Sequence, residues 1–436
     1  MKIIFTSFFI TFIALNSFSQ SGWVLQNSNI RNNINDIFFI NSQTGWAVAD
    51  STKILHTTNG GNNWTHQSFS YYGSLNTIFF INENTGWAGG GFYYIVHSGI
   101  IYKTTNGGEN WNIASYQSEI TDMYFINENT GFIGLDLSGD FSSAGAIIKT
   151  INGGINWNLS GSMYLPFVIS CVYFEENTGW ACGYYWDDTG GDTDIVLKTT
   201  DIGNSWLIKY KEPGRFHSRA DEIFAIENNV WLAGIDSIIL MSTNFGDSWI
   251  KSYLSPVKDI KTIFFINNHT GWIGGSRFPD TTTIMKTTNS GFNWFNLRNI
   301  YLDGVSSIFF INENTGWATG GYYYTENGMI LKTTTGGITN LSNQQENIPS
   351  GIELRQNFPN PFNPSTTIQF DIKKSTQATL KIYDMQGKLV KVLFEGNINP
   401  GTYKTEWDAA GFASGIYLYT LEIEGLNITK RMTLLK

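Results

Sequence analysis

Internal repetition is the feature of this sequence that most restricts its fold. An apolar run, a turn and an aromatic residue recur seven times in the first 340 residues, and the aromatic residues of successive copies lie 41 to 51 residues apart. The copies occupy 37–46, 78–87, 123–132, 172–180, 223–231, 263–272 and 308–317. A period of this length indicates a stacked or circular repeat architecture.

The second half of the unit is an eight-residue segment that we call the box turn. Its pattern is Ser/Thr-x-Asp/Asn-x-Gly-x-x-Trp, and six copies occupy 57–64, 104–111, 150–157, 199–206, 242–249 and 287–294. In such a turn the Asp or Asn side chain bonds nearby backbone, and glycine takes a positive φ without steric cost. The Trp buries a large flat surface. Because one residue set serves every copy, we interpret it as structural.

Each repeat therefore predicts four strands. The first strand is apolar at successive positions, which indicates a sheet buried on both faces, and propeller blades have that environment. The seventh box turn, at 333–340, departs from the pattern and lacks the Trp. Trp23, in contrast, lies in a short strand-like segment near the start of the chain. We predict an all-β chain in which a seven-bladed β-propeller spans 20–340. Trp23 is expected in the last blade, where it closes the ring and covers exposed sheet edges.

The box turns resemble the Asp-box, also called the bacterial neuraminidase repeat. The short apolar repeats resemble most closely those of photosystem-assembly-factor-like propellers, within a superfamily of repeats that sialidases share. This resemblance implies a propeller scaffold and leaves the ligand open.

The two ends of the chain predict export. Lys2 precedes an apolar segment at 3–15, and Ser17 and Ser19 suit a cleavage site, so 1–19 is expected to be a signal peptide. Its apolar core is shorter than the roughly 20 residues that span a bilayer, so no membrane insertion of the mature chain is expected. The formal net charge of −9 disfavours nucleic acid as a partner.

The composition changes after a polar linker at 341–350. About seven short strands separated by turns in 351–436 predict a small immunoglobulin-like β-sandwich. The segment resembles the type A C-terminal sorting domain of the type IX secretion system. The residues that carry the resemblance are 356–364, 382–384, Gly387, Gly401, Trp407, 414–417 and 430–432. The resemblance implies that 351–436 binds the type IX secretion machinery, and that the protein is secreted or held on the outer cell surface after passing through the periplasm.

Composition also bears on catalysis. A sialidase needs clustered arginines, but the propeller has only Arg31, Arg215, Arg219, Arg277 and Arg298. A hydrolase with two carboxylates stays open, because acids on different blades can converge. We expect a non-catalytic binding or adhesion propeller without catalytic residues or cofactor, and keep a xyloglucanase- or sialidase-like glycan hydrolase as the alternative.

Alternating strand direction places the box turns on one face and the variable loops on the other. Binding residues are expected on variable loops held by a rigid scaffold. Tyr and Trp suit recognition of a glycan or a protein. The candidate ligand-binding residues are Phe92, Tyr93, Tyr94, His97, Tyr184, Tyr185, Trp186, Tyr322, Tyr323 and Tyr324. Packing against neighbouring loops is an equally open interpretation for each of them.

Two further features concern cysteines and metals. Cys171 and Cys182 flank a turn between paired strands, so they are a candidate disulfide, and buried free thiols are the open alternative. The acidic loop at 187–194 offers oxygen donors suited to calcium, but it lacks the glycine and terminal glutamate of an EF-hand. We interpret it as a solvated turn and expect no metal site.

Overall fold

A computed structural model describes residues 22–435, with the following segments left out: 71–72, 93–97, 117, 139–143, 162–164, 187–191, 214–219, 235–236, 255–258, 278–280, 301–303, 322–327, 338–350, 375, 399–400 and 424. The described part of the chain is all-β, with 35 strands in nine sheets. No described helix has the length and apolar character that a membrane crossing requires.

Seven of the sheets are four-stranded antiparallel blades, each formed by consecutive strands except the last. Blade 1 comprises β2 (Ile34–Phe39), β3 (Gly45–Ala49), β4 (Lys53–Thr57) and β5 (Thr65–Ser68). Blade 2 comprises β6 (Ser74–Phe80), β7 (Gly86–Phe92), β8 (Ser98–Thr104) and β9 (Asn112–Tyr116). Blade 3 comprises β10 (Glu119–Phe125), β11 (Gly131–Asp136), β12 (Gly145–Thr150) and β13 (Asn158–Leu159).

The remaining blades repeat this arrangement. Blade 4 comprises β14 (Val168–Glu175), β15 (Thr178–Trp186), β16 (Asp192–Thr199) and β17 (Leu207–Pro213). Blade 5 comprises β18 (Ala220–Ile226), β19 (Asn229–Gly234), β20 (Ile238–Ser242) and β21 (Ile250–Tyr253). Blade 6 comprises β22 (Asp259–Phe265), β23 (Gly271–Arg277), β24 (Thr281–Thr287) and β25 (Phe295–Ile300). Blade 7 comprises β26 (Val305–Phe310), β27 (Gly316–Gly321), β28 (Gly328–Gly337) and β1 (Gly22–Gln26).

The N-terminal strand closes the ring, as the sequence predicts. β1 pairs antiparallel with β28, and Trp23 lies opposite Thr333. The Trp23 ring meets Phe310 edge-on with centroids 5.8 Å apart. In blade 1, the box-turn Trp64 meets Phe39 in the same way at 5.9 Å. Trp23 therefore replaces the Trp that the seventh box turn lacks.

The box turns are held by repeated side-chain hydrogen bonds. In blade 2 the Thr104 hydroxyl accepts the N–H of Gly108 at 2.9 Å, and the Asn106 side chain accepts the N–H of Asn110 at 3.0 Å. Gly107 and Gly108 have φ of 71° and 90°. The five other complete box turns repeat these bonds, which confirms the predicted turn chemistry.

Neighbouring blades are joined through the Trp of the apolar repeat. The Trp46 ring of blade 1 stacks on Phe80 of blade 2 at 3.5 Å, and its Nε1 donates to the Gly107 carbonyl at 2.9 Å. The same pairing closes the ring, because Trp317 of blade 7 stacks on Phe39 of blade 1 at 3.5 Å and donates to the Gly60 carbonyl. Each large aromatic surface is thus buried between two blades.

The two other sheets form the second domain. One contains β29 (Glu353–Leu354), β30 (Ser365–Ile372) and β33 (Gly401–Asp408), and the other contains β31 (Thr376–Asp384), β32 (Leu389–Ile398), β34 (Gly415–Ile423) and β35 (Leu426–Leu434). Their inner faces share one apolar core that includes Phe370, Leu380, Trp407 and Leu421. Seven short strands in two sheets are consistent with the predicted immunoglobulin-like sandwich.

Candidate functional site

The innermost strand of every blade carries an irregularity at the same place. The register of β2 against β3 shifts between Ile34 and Asp36, and the equivalent strands shift at the same step. Such a bulge re-aims the side chain that follows it. We call the seven residues at this position the channel ring, and they are Asp36, Thr77, Asp122, Cys171, Glu222, Thr262 and Ser307.

The three carboxylates of the channel ring reach across to neighbouring blades. Asp36 Oδ2 accepts the N–H of Ile78 at 2.8 Å, and Asp122 Oδ2 accepts the N–H of Val172 at 2.9 Å. Glu222 Oε2 accepts the N–H of Ile263 at 2.6 Å. Blades 1, 3 and 5 are thereby fastened to blades 2, 4 and 6. These bonds satisfy backbone donors on innermost strands that are the edges of their sheets.

Hydroxyl groups link further members of the channel ring. Ser307 Oγ donates to Asp36 Oδ1 at 2.8 Å, and Thr77 Oγ1 donates to Asp122 Oδ1 at 3.0 Å. Thr262 Oγ1 accepts the N–H of Ile308 at 3.1 Å. The polar network therefore crosses the blade 7 to blade 1 junction, where the ring of the propeller closes.

The surroundings of the carboxylates favour their neutral forms. Burial raises the pKa of Asp122 to about 7 against the hydrogen bond from Val172, and the nearby Asp36 raises it further. Burial likewise raises the pKa of Glu222 to about 8, with smaller contributions from the charges of Asp122 and Asp36. The pKa of Asp36 is also raised by burial. Mutual repulsion between like charges and removal from water act in the same direction here.

Two residues further along the innermost strands lies a belt of seven rings, which we call the aromatic belt. Consecutive centroids are 4.9 to 5.3 Å apart around the whole circle. Its members are Phe38, Phe79, Tyr124, Tyr173, Phe224, Phe264 and Phe309, and all are half-buried. Because the innermost strands run toward the box turns, the aromatic belt lies on the box-turn side of the channel ring.

The predicted ligand-binding residues lie mostly beyond the described part of the chain. Tyr184 and Tyr185 are half-buried at the end of β15, next to the variable loop that follows. Phe92 ends β7 and Trp186 ends β15, but only their backbones are described. Tyr93, Tyr94, His97, Tyr322, Tyr323 and Tyr324 lie outside the described residues, as does the 187–191 part of the acidic loop predicted at 187–194, whose last three residues begin β16. Their grouping into one binding surface stays a prediction.

The cysteines are neighbours across two paired strands. Cys171 of β14 lies directly opposite Cys182 of β15, and both side chains are buried. They are free thiols in this structure, and burial raises the pKa of both thiol groups. Among the described residues, no group of His, Cys, Asp and Glu has the arrangement of a metal site.

Sequence reasoning missed the channel carboxylates, because it left open which acids of different blades converge. A signal was present in the alignment of the repeats. The residue just before each apolar run is polar or small in all seven copies, as Asp36, Asp122 and Glu222 show. A polar position repeated at the start of a buried strand marks an inward-facing site that needs hydrogen-bond partners.

Comparisons with known proteins agree with both halves of this architecture. Residues 356–434 match the family model of the secretion system C-terminal sorting domain. Residues 15–162 match the model of the photosynthesis system II assembly factor YCF48. The chain therefore combines a propeller with YCF48-like repeats and a sorting domain of the kind that directs export by type IX secretion. No curated protein sequence matches the chain.

Solved structures show the same propeller fold at low sequence identity. A structure of YCF48 bound to D1 peptide has a TM-score of 0.54 and 16% identity, covering 72% of this chain and 97% of that one. YCF48 from Cyanidioschyzon merolae has a TM-score of 0.54 and 17% identity, covering 71% of this chain and 98% of that one. The WD40 repeats of RRP9 have a TM-score of 0.51 and 9% identity, covering 72% and 97%.

Proposed function

We propose that this protein is a non-catalytic binding propeller, exported by type IX secretion and presented outside the cell, that holds a protein or glycan ligand on its variable-loop face. The observation that carries the proposal is that the channel carboxylates form structural hydrogen bonds between blades. Asp36, Asp122 and Glu222 each accept a backbone N–H from the next blade. Their role in joining blades accounts for acids in the channel without requiring a reaction.

The scaffold supports this assignment. The box turns form the same internal hydrogen bonds in blade after blade, so their repeated polar groups are used within the turns. The opposite face carries loops of different length and composition. Tyr184 and Tyr185 are half-buried at its edge, and Tyr185 also packs against the core between blades 3 and 4. Stiff aromatic side chains on a rigid frame bind with a small loss of conformational entropy.

A protein segment is the first ligand to test. One neighbour of known structure is a YCF48 propeller bound to D1 peptide. That complex supports the capacity of this type of propeller to hold a peptide. A glycan is the second ligand to test, since tyrosine and tryptophan rings also stack on sugars.

The mature full-length chain, screened on peptide and glycan arrays, provides the test. We expect one class of peptide or glycan to bind the wild type. Its affinity should fall at least tenfold in the double variant Tyr184→Ala/Tyr185→Ala. Phe245→Ala is the matched control, because Phe245 is an exposed ring on the box turn of blade 5, on the other face. Equal loss in both variants, or binding that neither variant changes, would contradict placement of the ligand at β15.

Hydrolysis of a glycan remains a second candidate because of one specific observation. A carboxyl group with a pKa near neutrality suits a general acid, and Asp122 and Glu222 have raised pKa values of about 7 and 8. Incubation with reducing-end-labelled glycans separates the two functions. Turnover by the wild type that Asp122→Asn or Glu222→Gln abolishes, with the fold retained, would establish the enzyme and overturn the binding proposal.

A further inference from the structure

We infer that the box turn of blade 6 is a docking site for the protein's own sorting domain, and that Phe292 is the residue that anchors it. Phe292 lies in the box turn between β24 and β25. Its ring meets Phe394 edge-on at 5.2 Å and Tyr403 edge-on at 5.4 Å, with interplanar angles of 83° and 74°. Edge-to-face pairs at these distances are the favourable geometry for aromatic rings.

Phe292 links two apolar cores. On the propeller side it packs against the cluster of blades 5 and 6 that contains Trp231 and Phe265. On the other side it packs against the core of the sorting domain. Phe394 and Tyr403 are only 5% and 1% exposed with the Phe292 ring seated on them. One propeller side chain therefore covers part of the sorting domain's interior.

The repeat supplies an internal comparison. The residue that follows the second turn glycine is Asn62, Glu109, Ile155, Asn204 and Asp247 in blades 1 to 5, and all five are exposed. Only in blade 6, among the six complete box turns, is this residue aromatic, and this box turn contacts the sorting domain. The turn geometry does not require an aromatic residue at this position. The contact with the sorting domain therefore accounts for the phenylalanine in blade 6.

A second contact extends the surface. β33 of the sorting domain, which carries Tyr403, also lies beside β21, the outer strand of blade 5. The docked domain thus sits at the box-turn side and rim of blades 5 and 6. The variable-loop face is on the opposite side of the ring, so a docked sorting domain leaves the variable loops open. This inference is independent of the ligand and of the proposed binding function.

The test compares three variants of the full mature chain with the wild type. Phe292→Asn introduces the residue that blades 1 and 4 carry at this position, so the turn itself is expected to fold. Ile155→Asn makes an apolar-to-Asn change at the same repeat position in blade 3, where Ile155 is 77% exposed. Phe292→Leu retains an apolar side chain and is expected to restore part of the docking.

Hydrogen–deuterium exchange and small-angle X-ray scattering report docking directly. Loss of two aromatic pairs of ordinary strength lowers the ratio of docked to undocked molecules roughly tenfold. We expect Phe292→Asn to raise exchange in Leu389–Ile398 and Gly401–Asp408 about tenfold and to increase the maximum dimension. Ile155→Asn should leave both unchanged. Exchange and dimensions of Phe292→Asn that match the wild type would overturn the inference, as would an equal effect of Ile155→Asn.

Discussion

The two glycines of a box turn should differ sharply in their tolerance of a side chain. Gly108 has φ of 90°, and a Cβ built there meets Trp46 Nε1 at 3.2 Å and Trp111 at 3.3 Å. These atoms belong to packed indole rings that cannot retreat without disturbing blades 1 and 2. The second glycine is retained in all six complete box turns, at positions equivalent to Gly108.

Gly107 is a different case, although its φ of 71° is also positive. The equivalent residue is Ile202 in blade 4, Phe245 in blade 5 and Ser290 in blade 6, with φ of 55°, 56° and 62°. The fold therefore accommodates a side chain at this step. A left-handed conformation costs a non-glycine residue roughly 1–2 kcal/mol.

We predict that Gly108→Val lowers the free energy of unfolding by about 3 kcal/mol. Backbone strain contributes roughly 1–3 kcal/mol, and crowding of the branched side chain against the two indoles adds to it. Gly107→Ser, the matched control, should lose about 1 kcal/mol. Urea denaturation followed by tryptophan fluorescence measures both. A Gly108→Val transition that overlays the wild type, or equal losses in the two variants, would refute the assignment of strain and packing to the second glycine.

Three further outcomes follow from the architecture. Trp23→Ala should destabilise the propeller about as much as Trp64→Ala, because both rings pack edge-on against the first strand of a blade. The expected loss is roughly 3–5 kcal/mol, measured by denaturant titration. A Trp23→Ala variant that unfolds like the wild type would show that the ring closes without the Trp23 side chain. The stability contributed by Asp122 and Glu222 is fully present below the ordinary carboxyl pKa near 4 and is lost as pH rises to about 8, because both pKa values are raised in the folded state. Thermal melts should therefore be higher at pH 5.5 than at pH 8.5, and Asp122→Asn/Glu222→Gln should flatten the difference; an unchanged slope would contradict the pKa shifts. Deletion of 351–436 should leave a folded propeller that accumulates in the periplasm, and cell fractionation showing normal appearance outside the cell would exclude the sorting role.

The repeat made most of the propeller predictable. Seven aligned apolar runs gave the number of blades, and the missing Trp of the seventh box turn paired with Trp23 at the other end of the chain. Each of these inferences uses a local pattern that recurs, so an error in one copy is corrected by the others. The sandwich strands were predictable for a similar reason, since turn residues separate short apolar segments from Ser365 onward.

The channel was less accessible to sequence reasoning. The bulge that aims Asp36 or Glu222 inward is a register shift between two strands, and register is set by pairing that a single strand does not reveal. The residue type at this position also varies from Asp to Cys, which conceals the repeat. The anchoring role of Phe292 was hidden for another reason, because its partners Phe394 and Tyr403 lie about a hundred residues further along the chain.

The pairing of β1 with β28 has a consequence for the order of folding. Gly22 lies opposite Gly337, so the first described strand of the propeller forms the edge of the sheet beside the last strand, β28. Blade 7 therefore cannot be completed until nearly the whole propeller sequence is available. Until then β1 has no partner strand, and β2 of blade 1 lacks the neighbouring blade that buries Phe39. Contacts between residues so distant in sequence form slowly. The ring thus acquires its closing contacts in a late step that depends on the entire repeat array.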